Sequence, residues 1–194
     1  MLTYKRLSTI TLFVISLGLS AIGLNGCGSA SFKPTVDPQM AFFDHLSAQC
    51  GSSFTGSTQF VSSNDPNDPF VVNPLKIDIF DCTDKEIRIP FYVGTDSSRT
   101  WIITKTRDGL LFKHQHLLPD GSPDSITNYG GLSDGTGTEF AQHFPADEFT
   151  ASLNSDYTTN KWSLILDPEK GVFEYKLQRH DKPRYEAYLV KVKE

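Results

Sequence analysis

The sequence predicts a mainly β domain built as an antiparallel up-and-down barrel, lipocalin-like in plan, with one N-terminal helix. The first observation is an alternation of apolar and polar residues, as in Leu75–Ile79, where leucine and isoleucine alternate with lysine and aspartate. The second is that the connections are short and rich in turn residues, which suits hairpins better than parallel crossovers. Eight or nine strands must close or stack to protect their edges, so a β-sandwich is the alternative fold.

The helix is predicted at the start of the domain. Asp37 and Pro38 are typical of an N-cap followed by the first helical position. Apolar residues then recur at helical spacing, and Gly51 can end the helix. These apolar residues are Phe42, Phe43, Leu46 and Cys50.

The strands follow the helix at intervals set by turn sequences such as Asp108-Gly109 and Asp120-Gly121. The stretch 130–160 has the weakest periodicity, and long irregular stretches of this kind are typical of functional or poorly ordered loops. The predicted strands are 53–61, 75–79, 87–91, 99–106, 109–117, 124–129, 160–167, 171–179 and 184–192.

The first 27 residues resemble a bacterial lipoprotein signal. Lys5 and Arg6 precede an uncharged, largely apolar run, which closes on Leu24-Asn25-Gly26-Cys27. We therefore expect a signal peptide over 1–26, a lipidated Cys27 with a tether over 27–36, and a single β-rich domain over 37–194. Gly28 favours the outer membrane, facing the periplasm. The alternatives are plain cleavage at Gly26-Cys27-Gly28 and a retained membrane anchor.

The charge of the chain limits its partners. The formal net charge is −5, and removal of the signal with its two basic residues would make it −7. An acidic surface repels nucleic acid and anionic lipid headgroups. We therefore expect membrane attachment through the lipid, a possible small-molecule ligand and no nucleic acid.

Two cysteines remain once Cys27 is assigned to lipid. In an oxidising compartment, an even pair is most simply a disulfide, here between Cys50 and Cys82. The alternative, a catalytic thiol, would require one of them to stay free.

Two histidines occupy the strand 109–117. Leu110, Phe112, His114 and His116 share one face, and Lys113 on the other face marks that side as the solvent side. A His-x-His pair can present two nitrogen ligands to one metal ion, zinc being the ion considered, or can act as general acid and base. The simpler interpretation is two hydrogen-bonded structural histidines. We expect no cofactor, with zinc at His114 and His116 as the alternative.

A third metal ligand would come from elsewhere in the chain, and nothing in the spacing selects among the candidates His143, Asp120, Asp147 and Glu148. Serines such as Ser97 and Ser98 are available as nucleophiles. Arg99, beside Trp101, could instead meet an anionic ligand head inside a barrel with aromatic walls, or simply pair with a neighbouring carboxylate.

Several strings along the chain resemble a family of uncharacterised bacterial secreted proteins and lipoproteins over about residues 41–192. They are CGSSFTG (50–56), EIRIPFYVG (86–94), SRTW (98–101), DGLLFKHQH (108–116), DGSPD (120–124), YGG (129–131) and FPADE (144–148). Members of that family often carry an acidic residue where this chain has Gln115. The resemblance implies a set of candidate site residues, namely Arg99, His114, His116, Asp120, Tyr129 and Asp147.

The leading functional hypothesis is a bacterial envelope lipoprotein that binds a small or amphiphilic ligand in its barrel without catalysis. The first alternative is an envelope hydrolase that uses His114 and His116 as metal ligands or as acid and base. The second alternative is a structural or assembly lipoprotein.

Overall fold

The computed structural model describes residues 36–193. The α-helices among them are α1 (Pro38–Ser47), α2 (Pro69–Val72) and α3 (Glu148–Leu153), and a 3₁₀ turn spans Ser155–Tyr157. The strands are β1 (Ser52–Val61), β2 (Leu75–Ile79), β3 (Asp81–Cys82), β4 (Glu86–Val93), β5 (Asp96–Thr106), β6 (Gly109–His116), β7 (Tyr129–Leu132), β8 (Ala141–Pro145), β9 (Lys161–Asp167), β10 (Val172–Arg179) and β11 (Lys182–Lys191).

The strands form one antiparallel sheet that is nearly closed into a barrel. Its order is β7-β6-β5-β4-β2-β1-β11-β10-β9-β8, and the short β3 pairs with β4. Apart from β3, each strand lies beside its neighbours in sequence, and the first strand pairs with the last. This is the up-and-down arrangement that the sequence predicts, so that prediction is confirmed.

The barrel closes between β7 and β8. The amide of Asp147 donates to the carbonyl of Gly130 at 2.9 Å, and the amide of Asp134 donates to the carbonyl of His143 at 3.0 Å. The two strands approach so closely that a β-carbon added to Gly131 would lie 1.9 Å from the carbonyl oxygen of Pro145. The barrel can therefore close between β7 and β8 only with glycine at position 131.

Helix α1 plugs one end of the barrel. Asp37 caps it by accepting from the amide of Gln39 at 2.9 Å, as predicted, and Pro38 occupies the first turn. Phe42, Phe43 and Leu46 are buried against the apolar faces of the strands, and the Nζ of Lys105 lies 4.1 Å from the centre of the Phe43 ring. The plug is also bonded to the sheet, since the side chain of Gln39 accepts from the amide of Leu110 at 2.9 Å.

The predicted disulfide is confirmed. Cys50 and Cys82 are bonded, with a Cα–Cα distance of 6.3 Å across a sequence separation of 32 residues. The bond joins the turn after α1 to β3, and thus ties the plug to the barrel wall.

The structure differs from the prediction between residues 62 and 160. The predicted strand 124–129 is wrong, because residues 117–128 form a loop and β7 begins only at Tyr129. Asn128 has a left-handed backbone, with φ of 55°, which breaks an extended strand at that point. The stretch 130–160 contains β8 and α3, and α2 and α3 are helices in addition to the single one predicted.

The predicted signal peptide 1–26, the lipidated Cys27 and the tether as far as residue 35 lie outside the described residues. Within residues 36–193, no helix combines the length and apolar character needed to cross a bilayer.

Candidate functional site

A cavity of about 240 Å³ lies inside the barrel, away from α1. Along β5, Lys105 contacts the plug whereas Arg99, six residues earlier, lines the cavity. The cavity therefore occupies the end of the barrel that α1 leaves open. Its inner wall is mainly aromatic, and its mouth carries charged side chains.

Stacked aromatic rings form the wall. Trp101 lies nearly parallel to Tyr175, with ring centres 4.6 Å apart and planes 10° apart. Trp101 also stacks on Phe91, with ring centres 4.6 Å apart. The alternation of β4, β5 and β10 places these three side chains inside the barrel, where they pack on one another and line the cavity.

His114 lies at the base of the cavity and is buried, as the alternation along β6 predicts. Its Nδ1 lies 3.1 Å from the carbonyl oxygen of Tyr129, which can only accept, so Nδ1 carries the proton. Its Nε2 lies 3.0 Å from the hydroxyl of Tyr175, which therefore donates to it. The ring of Tyr129 stacks on the imidazole at 4.4 Å.

Burial keeps this imidazole neutral. It lowers the pKa of His114 to about 3, against the opposing effect of the hydrogen bond to Tyr129. Burial likewise raises the pKa of Tyr175 well above its ordinary value and that of Tyr129 to about 12. The base of the cavity is thus polar but uncharged at neutral pH.

The predicted metal pair is not brought together with a third ligand in the described structure. Both ring nitrogens of His114 already have hydrogen-bond partners. Across residues 36–193, no three histidine, cysteine, aspartate or glutamate side chains are grouped so that they could hold a metal ion. Zinc at His114 and His116 stays a prediction.

The mouth of the cavity is formed around Arg99. Its guanidinium pairs with Asp96 and lies 5.1 Å from the centre of the Phe70 ring, which α2 supplies. Burial alone would raise the pKa of Asp96, but hydrogen bonds from Ser98 and Arg99 outweigh it and lower that pKa to about 2. Arg184, a second cation of the lining, donates to the hydroxyl of Ser62 at 2.9 Å.

His116 lies at the rim, in register with Arg99 across β5 and β6. Its Nε2 is 2.8 Å from the hydroxyl oxygen of Ser98, and its Nδ1 is 3.6 Å from a carboxylate oxygen of Asp124. Unlike His114, it is partly exposed, with 28% of its side chain accessible to solvent.

The structure places Asp120 and Asp147 away from the cavity lining. Asp120 sits in an exposed turn, where it accepts from the amide and hydroxyl of Ser122. Asp147 caps α3 by accepting from the amide of Thr150 at 2.9 Å, and it pairs with Lys113. Of the six residues that the resemblance singles out, Arg99, His114 and Tyr129 line the cavity.

Sequence reasoning missed Phe70 and Arg184 as cavity residues. A sequence pattern for Phe70 was present, because Asp68-Pro69 repeats the Asp37-Pro38 pattern that predicts the start of α1. In the structure, Asp68 does cap α2. Arg184 follows a turn at the start of β11, and nothing in its local sequence separates it from other surface cations.

Comparison of the chain with models of protein families, with curated proteins and with solved structures finds no match.

Proposed function

We propose that this protein is a bacterial envelope lipoprotein that binds a small or amphiphilic ligand in its barrel. The observation that carries the proposal is the cavity of about 240 Å³, with its stacked aromatic wall and an arginine at its mouth. A concave, mainly apolar site with a few fixed polar groups is the usual form of a small-molecule site.

The dimensions and charges indicate the chemistry of the ligand. The volume is below the range of roughly 300–1,000 Å³ usual for drug-sized ligands, so the ligand is small or inserts only one end. An apolar body would lie against the aromatic wall to which Trp101 belongs. Arg99 offers an anionic head several N–H donors beyond the one that Asp96 occupies.

The proposal can be tested with octanoate and its uncharged counterpart octanol, read by tryptophan fluorescence. Trp101 lines the cavity whereas Trp162, the other tryptophan, is not part of its lining, so the Trp162→Phe variant isolates the response of Trp101. We expect saturable binding of octanoate. Arg99→Gln should weaken that binding about tenfold or more, because a hydrogen bond to a charged group is lost.

Arg107→Gln is the matched control, because Arg107 is exposed in the turn between β5 and β6, pairs with Asp108 and does not line the cavity. Octanol binding should be nearly unchanged in Arg99→Gln. If the two arginine variants weakened octanoate binding equally, Arg99 would not be part of the ligand site. Absence of saturable binding by either probe, together with no organic mass in native mass spectrometry of the purified protein, would contradict the proposal.

The envelope location is proposed from the lipobox-like sequence at Cys27. Intact mass of the membrane-extracted protein should show acyl chains on an N-terminal Cys27, and Cys27→Ser should release the protein from the membrane fraction.

A further inference from the structure

We propose that Ser98, His116 and Asp124 form a nucleophilic acyl-transfer site at the rim of the barrel. The hydroxyl oxygen of Ser98 is 2.8 Å from Nε2 of His116, and a carboxylate oxygen of Asp124 is 3.6 Å from Nδ1 of the same ring. A nucleophile within hydrogen-bond reach of a base, with a third group on the far side of that base, is the arrangement of hydrolytic triads on unrelated folds.

Backbone hydrogen bonds hold the three residues together. The amide of Leu117 donates to the carbonyl of Ser98 at 2.9 Å, which joins β5 to the end of β6. The amide of Asp124 donates to the carbonyl of His116 at 3.0 Å, which brings the loop back beside the histidine. The triad therefore comes from two strands and one loop.

The carboxylate of Asp124 is suited to orient the ring. Its Oδ1 accepts from the amide of Ile126 at 2.8 Å, and this bond first of all lowers the pKa of Asp124. The other oxygen, Oδ2, lies 3.6 Å from Nδ1 of His116, which is longer than a hydrogen bond. Catalytic contacts of this kind often shorten only when substrate binds. A proton held on Nδ1 leaves Nε2 free to accept from Ser98, which is the tautomer that a general base requires.

Asp96 is the competing acceptor for the Ser98 hydroxyl. Its Oδ1 already accepts from the amide of Ser98, and its Oδ2 pairs with Arg99. A carboxylate oxygen can accept more than one hydrogen bond, and a side-chain hydrogen bond from Ser98 contributes to the lowered pKa of Asp96. Attack by Ser98 therefore requires its hydroxyl to turn to Nε2 of His116, which lies 2.8 Å away.

The contrast between the two histidines favours a chemical role for His116. His114 is buried, and both its nitrogens are bonded to groups of the inner wall. His116 is partly exposed and bonded to a hydroxyl on a strand that begins at the rim, where a substrate can reach it. A serine and a carboxylate on opposite sides of one accessible imidazole are what a proton relay for acyl transfer needs.

The reaction is the hydrolysis of a carboxylic ester. Oγ of Ser98 attacks the carbonyl carbon while its proton passes to Nε2 of His116, and the C–O bond to the alcohol breaks as the alcohol takes that proton. Water then attacks the acyl-Ser98 carbonyl and gives a proton to Nε2; the bond to Oγ breaks, Ser98 regains the proton, and the carboxylic acid leaves.

The substrate class is a small ester whose carbonyl can reach the rim. This inference stands on the triad geometry and not on occupancy of the cavity. If octanoate did not bind, the acyl-transfer proposal would still stand. If Ser98 were not labelled, the ligand-binding proposal would still stand.

The test uses the purified full chain with diisopropyl fluorophosphate and with p-nitrophenyl acetate. We expect one phosphoryl adduct, located at Ser98 by peptide mass spectrometry, and ester hydrolysis above the buffer rate. Ser98→Ala should abolish the adduct and the hydrolysis, and His116→Gln should slow both about 100- to 10,000-fold, as expected for loss of a general base.

Ser97→Ala is the matched control, because Ser97 is the exposed neighbour of Ser98 and stands outside the triad. It should react like the unmodified chain, and near-ultraviolet circular dichroism should show that the other variants keep the fold. Asp124→Asn should lower the rate of labelling while Ser98 remains the labelled residue. No adduct at Ser98, or an adduct formed equally fast in His116→Gln, would overturn the proposal.

Discussion

The hydroxyl of Tyr175 donates a hydrogen bond of 3.0 Å to Nε2 of His114 inside the barrel, and the second nitrogen of the imidazole donates to the carbonyl of Tyr129. The neutral histidine thus joins β10 to β6 and β7 at the base of the cavity. Each of its polar atoms has a partner, which is the condition for keeping a polar side chain in an apolar barrel.

Removal of the Tyr175 hydroxyl should destabilise the fold. Tyr175→Phe leaves Nε2 of His114 without its donor, and an unsatisfied buried acceptor costs about 1–3 kcal/mol of unfolding free energy. Chemical denaturation measures this difference. Tyr188→Phe, at a position on β11 that is 39% exposed, should change stability by less than about 0.5 kcal/mol. Equal effects of the two variants would contradict the role given to the buried bond.

The stability of the fold should fall in mild acid because of His114. Its pKa is lowered from 6.5 to about 3 by burial, so the unfolded chain binds a proton that the folded chain does not. The stabilisation is present above pH 6.5 and is lost as the pH falls toward 3. About 2 kcal/mol should disappear between pH 6.5 and pH 5.

This acid sensitivity should be absent from His114→Gln, measured by urea denaturation at both pH values. His180→Gln serves as the control, because His180 lies in the exposed turn between β10 and β11. If the unfolding free energy depended on pH equally in the unmodified protein, in His114→Gln and in His180→Gln, groups other than His114 would be the cause.

Closure of the barrel should depend on Gly131. A β-carbon there would lie 1.9 Å from the backbone oxygen of Pro145, and we expect Gly131→Ala to cost about 3 kcal/mol of unfolding free energy through overpacking. At Gly135, φ is +75° and no atom lies within 4 Å of the added carbon. Gly135→Ala should therefore cost only about 1–2 kcal/mol of backbone strain. If Gly131→Ala were the milder change, the close approach of β7 and β8 would be refuted.

Loss of the disulfide should weaken the fold without changing its pattern of strands. By the chain-entropy relation, a bond that closes a loop of about this size contributes roughly 3–4 kcal/mol. The Cys50→Ser, Cys82→Ser double variant should lose this amount in urea denaturation. Added reductant should then have no effect on the double variant but should destabilise the unmodified protein. A variant as stable as the oxidised parent would contradict the prediction.

Most of the sheet follows from local patterns. In β6, the buried faces of Leu110, Phe112 and His114 could be predicted because a two-residue period is set by each strand alone. Strands β7 and β8 could not be predicted, since Gly130 and Gly131 favour a turn locally and Gln142 is a polar residue facing inward. Contacts distant in sequence stabilise these strands, such as the bond from Ser133 to the buried amide of Gln142.

The candidate site was predicted in part for the same reason. Arg99 and His114 lie on regular strands, so their inward direction could be anticipated. The pairing of His116 with Ser98 and Asp124 depends on the return of the loop 117–128, where the sequence predicted a strand at 124–129. Contacts that depend on the path of a loop produce no periodic pattern in the sequence, so this pairing could not be predicted.

Because α1 closes one end of the barrel, the cavity is closed on that side. With α1 packed into one end and tied to β3 through Cys50, a molecule that reaches the cavity must arrive and depart past Phe70 and Arg99. The short helix α2 at the mouth then affects the rate at which a ligand enters and leaves, whereas the aromatic wall and Arg99 determine its affinity. Substitutions in α2 that leave Phe70 in place should therefore change the rates of entry and exit together, with little effect on affinity.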